Sequence, residues 1–234
     1  SFSCDKMLFF GERRMKKVGI LISGRGSNMV SILEAMKEPG FPASCALVIS
    51  NIASAEGLSR AEAMGVKTMV IDHKASKTRE EHDAKMIEAL KAEGVEIVCL
   101  AGYMRLLSPL FIRTFPNAIL NIHPALLPSF PGLHVQAKAL EAGVAFSGCT
   151  VHLVDELCDN GPILLQAAVP IYPDDTEEAL SGRILKYEHR LYPISLKLFA
   201  EGKFKLCGSR ARLSIDRDEY QRLLQSLVSL GDDQ

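Results

Sequence analysis

The chain has 234 residues, of which 47% are hydrophobic and 24% charged, and its formal net charge is -1. This length and composition are typical of one large α/β domain or two small ones, in which folding needs neither a metal nor a disulfide. The balance of charges argues against a nucleic-acid partner, which normally requires a basic excess, and no apolar segment approaches the length of a membrane span.

The cysteines and the amino-terminal residues carry little sign of function. The six cysteines, at positions 4, 45, 99, 149, 158 and 207, form no C-x-x-C pair, so we expect no zinc framework. Scattered cysteines in a chain of this size fit a reducing cytoplasm. Residues 7–10 form too short an apolar run for a signal peptide, and we expect residues 1–14 to be an upstream or expression-derived extension before a natural start at Met15.

In the first half of the chain, short apolar runs alternate with segments of helical periodicity. Residues 18–22 predict a buried strand, followed by a glycine-rich turn and a helix that Pro39-Gly40 terminates. The later elements predicted in this half are strands over 46–50, 67–71, 96–101 and 117–120, and helices over 56–64, 78–92 and 108–115. This alternation predicts an α/β fold in which a mostly parallel sheet has helices on both faces.

After residue 123 the pattern becomes less regular. The elements predicted here are helices over 134–142 and from the capping signal at 175–178 to about 200, strands over 149–154 and 163–171, and an edge strand over 202–206. We expect these late strands to continue the sheet in mixed or antiparallel sense. The predicted organisation is a single domain over 15–207, with halves 15–115 and 116–207, and a C-terminal helical extension over 208–234.

Asn121-Ile122-His123-Pro124 follows a predicted buried strand and contains two polar side chains. Because side chains alternate along a strand, Asn121 and His123 project to one side, and Pro124 ends regular pairing. An amide and an imidazole would then stand at the carboxyl end of a strand, where open α/β sheets bind ligands. The alternative, which these four residues alone favour, is a turn asparagine and a hydrogen-bonded core histidine.

The turn Ser23-Gly24-Arg25-Gly26-Ser27-Asn28 is suited to an anion. Glycines let backbone N–H groups converge at a helix N-terminus, where the helix dipole favours negative charge, and Ser27 and Asn28 add donors. The turn is not a complete dinucleotide fingerprint, because Met29 stands where a third glycine is needed, and it is not a Walker A loop. A phosphate site for a mononucleotide-sized ligand and a plain turn capped by Ser27 or Asn28 remain equally consistent.

Several other polar residues are weaker candidates. Asp159 lies in the turn between two late strands, where a carboxylate could orient His123, although an aspartate beside Asn-Gly is commonly a turn residue. Arg105 follows a strand but could be solvated, and the helical Glu188 could face solvent. His134 and His152 are further candidates, for each of which a structural role is favoured. The spacing of the histidines gives no support for a metal site.

Five motifs together resemble one known family. They are Ser23-Gly24-Arg25-Gly26-Ser27-Asn28, Ala101-Gly102-Tyr103-Met104-Arg105-Leu106-Leu107, Asn121-Ile122-His123-Pro124-Ala125-Leu126-Leu127-Pro128, Phe130-Pro131-Gly132-Leu133-His134 and Asp155-Glu156-Leu157-Cys158-Asp159-Asn160-Gly161-Pro162. This set resembles the phosphoribosylglycinamide formyltransferases of purine biosynthesis, and the resemblance covers residues 17–206 in unbroken order. Cys158, and Asn160 where the family usually has glycine, are departures that could alter loop flexibility without removing a reacting group.

The resemblance implies a Rossmann-like formyltransferase fold and an enzyme. It implies transfer of the formyl group of the co-substrate 10-formyltetrahydrofolate to the amine of phosphoribosylglycinamide, without a metal, by a cytoplasmic monomer or homodimer that binds small molecules only. The implied catalytic residues are Asn121, His123 and Asp159. The implied ribonucleotide ligands are Gly26, Ser27, Asn28 and Glu188, and the implied folate ligands are Arg79, Met104, Arg105, Leu106, Leu107, Asn121, Asp155 and Asp159.

The same residues distinguish this family from four alternative classes of protein. Methionyl-tRNA formyltransferase and formyltetrahydrofolate hydrolase share the Asn/His/Asp trio. The first would lack the Ser23–Asn28 turn and carry a larger carboxyl-terminal domain, and the second would carry an amino-terminal regulatory domain. A non-catalytic nucleotide-binding module would have no need for the trio. A nicotinamide-dependent oxidoreductase is disfavoured by Met29 and by Ser50-Asn51, which stand where a glycine and an acidic residue would be expected.

Overall fold

The computed structural model describes the backbone of residues 6–7 and 14–228 and the side chains of residues 14–227. The chain divides into two compact units. The first unit comprises Glu12–Asn121 and Val154–Glu156, and the second comprises Ser1–Gly11, Ile122–Leu153 and Leu157–Gln234. Most of the extension predicted over residues 1–14, and the charged end over 229–234, lie outside the described residues.

The strands are β1 (Lys6–Met7), β2 (Lys16–Ile22), β3 (Ala43–Ser50), β4 (Thr68–Val70), β5 (Ile97–Leu100), β6 (Ile119–His123), β7 (Phe146–Leu153), β8 (Ile163–Pro170), β9 (Phe204–Cys207) and β10 (Arg210–Leu213). The helices are α1 (Ser27–Met36), α2 (Glu56–Ala63), α3 (Arg79–Ala92), α4 (Pro109–Thr114), α5 (Val135–Ala142), α6 (Glu177–Ala200) and α7 (Arg217–Val228), with a 3-10 turn at His73–Ala75.

In the first unit, β4, β3, β2, β5 and β6 lie side by side in that order, and every pair is parallel. Parallel strands need crossover connections, and each connection here contains one of the helices α1 to α4. The inner strands are mostly apolar and buried, with Ile20, Val48 and Val98 completely inaccessible to solvent, whereas β4 at the edge of the sheet is partly exposed. The carboxyl ends of these strands therefore share one edge of the sheet.

The second unit contains antiparallel strands. β7 and β8 form an antiparallel hairpin, β9 pairs antiparallel with both β1 and β10, and α6 and α7 are the long helices. The predicted fold class, α/β with a mostly parallel sheet and antiparallel late strands, is confirmed. Strand β10, which begins just after Gly208 (φ +62°), and the pairing of β1 were not predicted. In the described part of the chain, no helix is long and apolar enough to cross a membrane.

An added side chain at Gly148 in β7 would clash with the paired strand. A Cβ atom there would lie 2.0 Å from the carbonyl oxygen of Ala167 and 2.7 Å from Leu126 Cδ2. The carbonyl belongs to the paired strand β8, so relief of this clash requires the hairpin to separate. We expect Gly148→Ala to lower the free energy of unfolding by about 2–3 kcal/mol, measured by urea denaturation.

Gly182 provides the matched control for Gly148. It lies in α6, and a Cβ atom there would meet nothing within 4 Å. Gly182→Ala should therefore stabilise the protein by about 0.5–1 kcal/mol, since alanine is the better helix former. Equal stability of the unchanged protein and Gly148→Ala would contradict the predicted clash between a side chain at Gly148 and strand β8.

An ion pair joins the end of β8 to the first turns of α6. Asp175 accepts from Arg183 through both oxygens, at 2.6 and 2.7 Å, and Arg183 also donates to the carbonyl oxygen of Pro170 at 2.9 Å. The Asp175 side chain is only 4% exposed. The hydrogen bonds from Arg183 hold the pKa of Asp175 below its ordinary value.

This ion pair predicts a pH-dependent contribution to stability. Because the folded pKa of Asp175 is depressed, its contribution is present above the unfolded pKa of about 3.9 and is lost as the pH falls through the folded pKa. We expect Asp175→Asn to destabilise the protein by about 1–3 kcal/mol at neutral pH, and by less below about pH 4. Urea denaturation of both proteins across this pH range measures the difference. A difference that stays constant with pH would contradict this role.

Candidate active site

Strand β6 carries the Asn121 and His123 side chains and ends at His123, as the following Pro124 predicted. Asn121 is half-buried, and His123 is only 5% exposed. The ring nitrogen Nε2 of His123 lies 2.8 Å from the carbonyl oxygen of Phe130. A carbonyl oxygen can only accept, so Nε2 carries the hydrogen and Nδ1 is the nitrogen that faces other groups.

His123 and Asp159 come together within the second unit. Nδ1 of His123 lies 3.7 Å from Asp159 Oδ2, which is within ion-pair range but too long for a direct hydrogen bond. Asp159 adopts a left-handed backbone conformation (φ +52°), and its Oδ2 accepts a hydrogen bond from the backbone N–H of Gly132 at 2.8 Å. The carboxylate is therefore held in place by the loop that begins after Pro128.

His152, a weaker candidate that the sequence favoured as structural, is a second neighbour of Asp159. Its Nε2 lies 3.9 Å from Asp159 Oδ1, so the carboxylate faces two imidazoles. His152 is 2% exposed and stands near the end of β7, shortly before the loop that carries Asp159. That position at a strand end was the available signal, but neither periodicity nor a motif singled it out.

Glu188 is buried on α6 in the second unit. It is 8% exposed, so the solvent-facing alternative is wrong. Burial and the nearby charge of Glu188 raise the pKa of the Cys149 thiol, which is itself completely inaccessible in β7.

The glycine-rich turn joins β2 to α1 in the first unit. Gly26 (φ +71°) is the N-cap of α1, so the capping alternative for Ser27 or Asn28 is not observed. A Cβ atom on Gly26 would lie 3.1 Å from the Cα of Gly57, which explains the need for glycine. With no side chain at the N-cap position, the first backbone N–H groups of this helix remain suited to an anion.

The segment between β5 and α4 presents apolar surface in the first unit. Met104 and Leu106 are 76% and 61% exposed. Nε of Arg105 is buried and has no hydrogen-bond partner among the described residues. Of the other predicted folate ligands in this unit, Arg79 is exposed at the start of α3, and Leu107 and Asp155 are half-buried.

Within the described ranges, no group of three or more histidine, cysteine, aspartate or glutamate side chains could hold a metal ion. Cys45, Cys99, Cys149 and Cys158 are free thiols, and Cys207 is disulfide-bonded.

Comparison with known proteins gives a consistent result. The formyl transferase family model matches residues 16–196. The trifunctional purine biosynthetic protein adenosine-3 of Drosophila melanogaster is 49% identical over 200 residues, which are 85% of this chain but only 15% of that protein. The chain therefore spans a small part of these trifunctional relatives. The phosphoribosylglycinamide formyltransferase of Haemophilus influenzae is 42% identical over 85% of this chain and 94% of its own length.

Solved structures agree with these relatives. Glycinamide ribonucleotide transformylase 1 from Symbiobacterium toebii has a TM-score of 0.84 at 49% identity, covering 90% of this chain and 99% of that one. Phosphoribosylglycinamide formyltransferase from Brucella melitensis has a TM-score of 0.77 at 52% identity, covering 80% and 96%.

Proposed function

The chain belongs to the formyl transferase family, and from this premise we propose that it transfers a formyl group from 10-formyltetrahydrofolate to the amine of phosphoribosylglycinamide. The observation that carries the proposal is its similarity to the Haemophilus influenzae enzyme of that name over 94% of that enzyme's length. The His123–Asp159 pair, 3.7 Å apart, supports the same reaction class.

The proposed reaction is direct attack of the glycinamide nitrogen on the formyl carbon. The new C–N bond produces a tetrahedral intermediate with negative charge on the former carbonyl oxygen. The amide of Asn121 and the imidazolium of His123 donate hydrogen bonds to that oxygen, and Asp159 stabilises the imidazolium. The intermediate collapses with cleavage of the bond to the folate nitrogen, which leaves as tetrahydrofolate after a proton passes to it from the attacking amine, through a water near Asp159.

Two groups of residues bind the ribonucleotide in this proposal. The phosphate is bound by the backbone N–H groups at Gly26, Ser27 and Asn28, an assignment supported by the glycine N-cap of α1. Glu188 contacts the glycinamide amine, which is supported by its burial on α6.

The folate site in this proposal is formed by Arg79, Met104, Arg105, Leu106, Leu107, Asn121, Asp155 and Asp159. The exposed apolar side chains of Met104 and Leu106 suit a ring system, and the unpartnered Nε of Arg105 suits a carboxylate.

We further propose that the partners are these small molecules alone, with neither nucleic acid nor membrane, and that the protein is a cytoplasmic monomer or homodimer. Four free thiols support a reducing compartment, whereas the disulfide at Cys207 counts against one.

The proposed function is tested by mixing the purified protein with phosphoribosylglycinamide and a chromogenic formyl-folate analogue. Formyl loss that requires the ribonucleotide is expected, together with formylated ribonucleotide identified by mass spectrometry. Formyl loss without the ribonucleotide would indicate a hydrolase instead. No reaction under either condition would favour a nucleotide-binding module.

A further inference from the structure

A chain of hydrogen bonds crosses the carboxyl ends of neighbouring parallel strands in the first unit. The backbone N–H of Met104 donates to Ser23 Oγ at 2.9 Å, and Ser23 Oγ donates to Asn51 Oδ1 at 2.6 Å. The amide nitrogen of Asn51 lies 3.3 Å from Nδ1 of His73. These residues follow β5, β2, β3 and β4, which are adjacent in the sheet. No motif considered above assigns a role to Ser23, Asn51 or His73 in this contact.

The chemical groups fix the direction of the two hydrogen bonds that the Ser23 hydroxyl makes. The oxygen of the Asn51 amide can only accept, so the Ser23 hydroxyl hydrogen points to it and a lone pair of Oγ remains for Met104. Asn51 is 2% exposed, which shelters this bond from competing water. Ser23 immediately precedes Gly24, so one hydroxyl group connects the glycine-rich turn to the start of segment 104–107.

The far end of segment 104–107 is held by a second side chain. Asp83 on α3 accepts a hydrogen bond from the backbone N–H of Ser108 at 2.7 Å through Oδ2. Asp83 is 1% exposed, and an unpaired carboxylate at such a site is costly, so this contact is difficult to break. Ser108 is also the N-cap of α4, where its Oγ accepts from the Phe111 N–H at 3.3 Å. The segment thus has a buried anchor at its end and the Ser23 hydroxyl at its start.

We propose that Ser23 is a positioning residue that links the glycine-rich turn to segment 104–107. The binding of the ribonucleotide and the binding of the folate are then energetically coupled through Ser23. The proposal rests on the proposed function and concerns its two substrate sites. Phosphate binding at the Gly24–Asn28 turn acts on the adjacent Ser23, and the hydrogen bond from the Met104 N–H to Ser23 Oγ extends the effect to segment 104–107. Binding at one site thereby alters the affinity of the other, and the same linkage acts in reverse.

Binding measurements on Ser23→Ala test the proposal. Isothermal titration with a deazafolate that lacks the formyl group, with and without phosphoribosylglycinamide, gives the affinity and the coupling in each protein. We expect the unchanged protein to bind the deazafolate more tightly when the ribonucleotide is present. In Ser23→Ala we expect roughly three- to tenfold weaker deazafolate binding, a matching rise in KM for folate, kcat within about twofold, and loss of the ribonucleotide effect.

Two further variants separate positioning from a general structural effect. Ser59→Ala removes a hydroxyl that bonds the carbonyl of Glu56 on the exposed face of α2, and it should leave both affinities and the coupling unchanged. Ser23→Thr keeps the hydroxyl and should restore most of the coupling, which also provides a measurement if Ser23→Ala folds poorly.

Three possible results of these titrations would each contradict a different claim. Equal deazafolate affinity and equal ribonucleotide effect in the unchanged protein and Ser23→Ala would overturn the role of Ser23. Absence of any ribonucleotide effect in the unchanged protein would overturn the coupling. Failure of the unchanged protein to bind either ligand would instead count against the proposed function itself.

Discussion

His123→Ala is expected to lower kcat by about 10²- to 10³-fold while leaving the protein folded. In the proposed reaction, the imidazolium stabilises the charge that develops on the formyl oxygen, and loss of one such donor removes about 3–4 kcal/mol of transition-state stabilisation. His123 is 5% exposed but contacts polar groups, the Phe130 carbonyl and the Asp159 carboxylate, at the end of a strand. Its removal should therefore affect the chemistry more than the apolar core.

Steady-state kinetics under saturating substrates, with circular dichroism to verify folding, measure the effect of His123→Ala. The matched control is His134→Asn, because His134 is exposed at the start of α5 in a left-handed conformation (φ +56°) that asparagine tolerates. Retention of near-normal turnover by folded His123→Ala would remove this residue from the mechanism.

Asp159→Asn is expected to lower kcat by about 10²-fold or more, with little change in stability. The asparagine can still accept the Gly132 N–H and adopt the left-handed conformation, but it has lost the charge that faces His123 and His152 at 3.7 and 3.9 Å. Because the carboxylate stabilises the imidazolium and helps to relay a proton, both contributions disappear together.

The effect of Asp159→Asn is measured as kcat across pH, alongside thermal denaturation. Asp174→Asn is the matched control, since Asp174 is exposed in the same unit. A variant with unchanged stability and unchanged turnover would show that Asp159 is only a turn residue, which was the simpler interpretation of an aspartate beside Asn-Gly.

The secondary structure was largely predictable because it depends on local patterns. Apolar runs with glycine or proline boundaries located β2, β3 and β5, and the Thr176 cap located the start of α6. The resemblance to the formyltransferases was also carried by contiguous motifs, and it is confirmed by the family match over residues 16–196. Strand β10 was missed because four residues of alternating pattern are too few to distinguish from the helix that follows.

The contact partners of individual side chains could not be predicted from local sequence patterns. His123 and Asp159 were identified as candidates from strand ends and turns, but their 3.7 Å separation depends on how a loop 36 residues later in the chain returns to β6. His152 beside Asp159, Ser23 beside the Met104 amide, and Asp83 beside Ser108 are likewise contacts between distant segments. Periodicity records which face of an element is buried, whereas such contacts depend on sheet order and loop geometry, which no local pattern encodes.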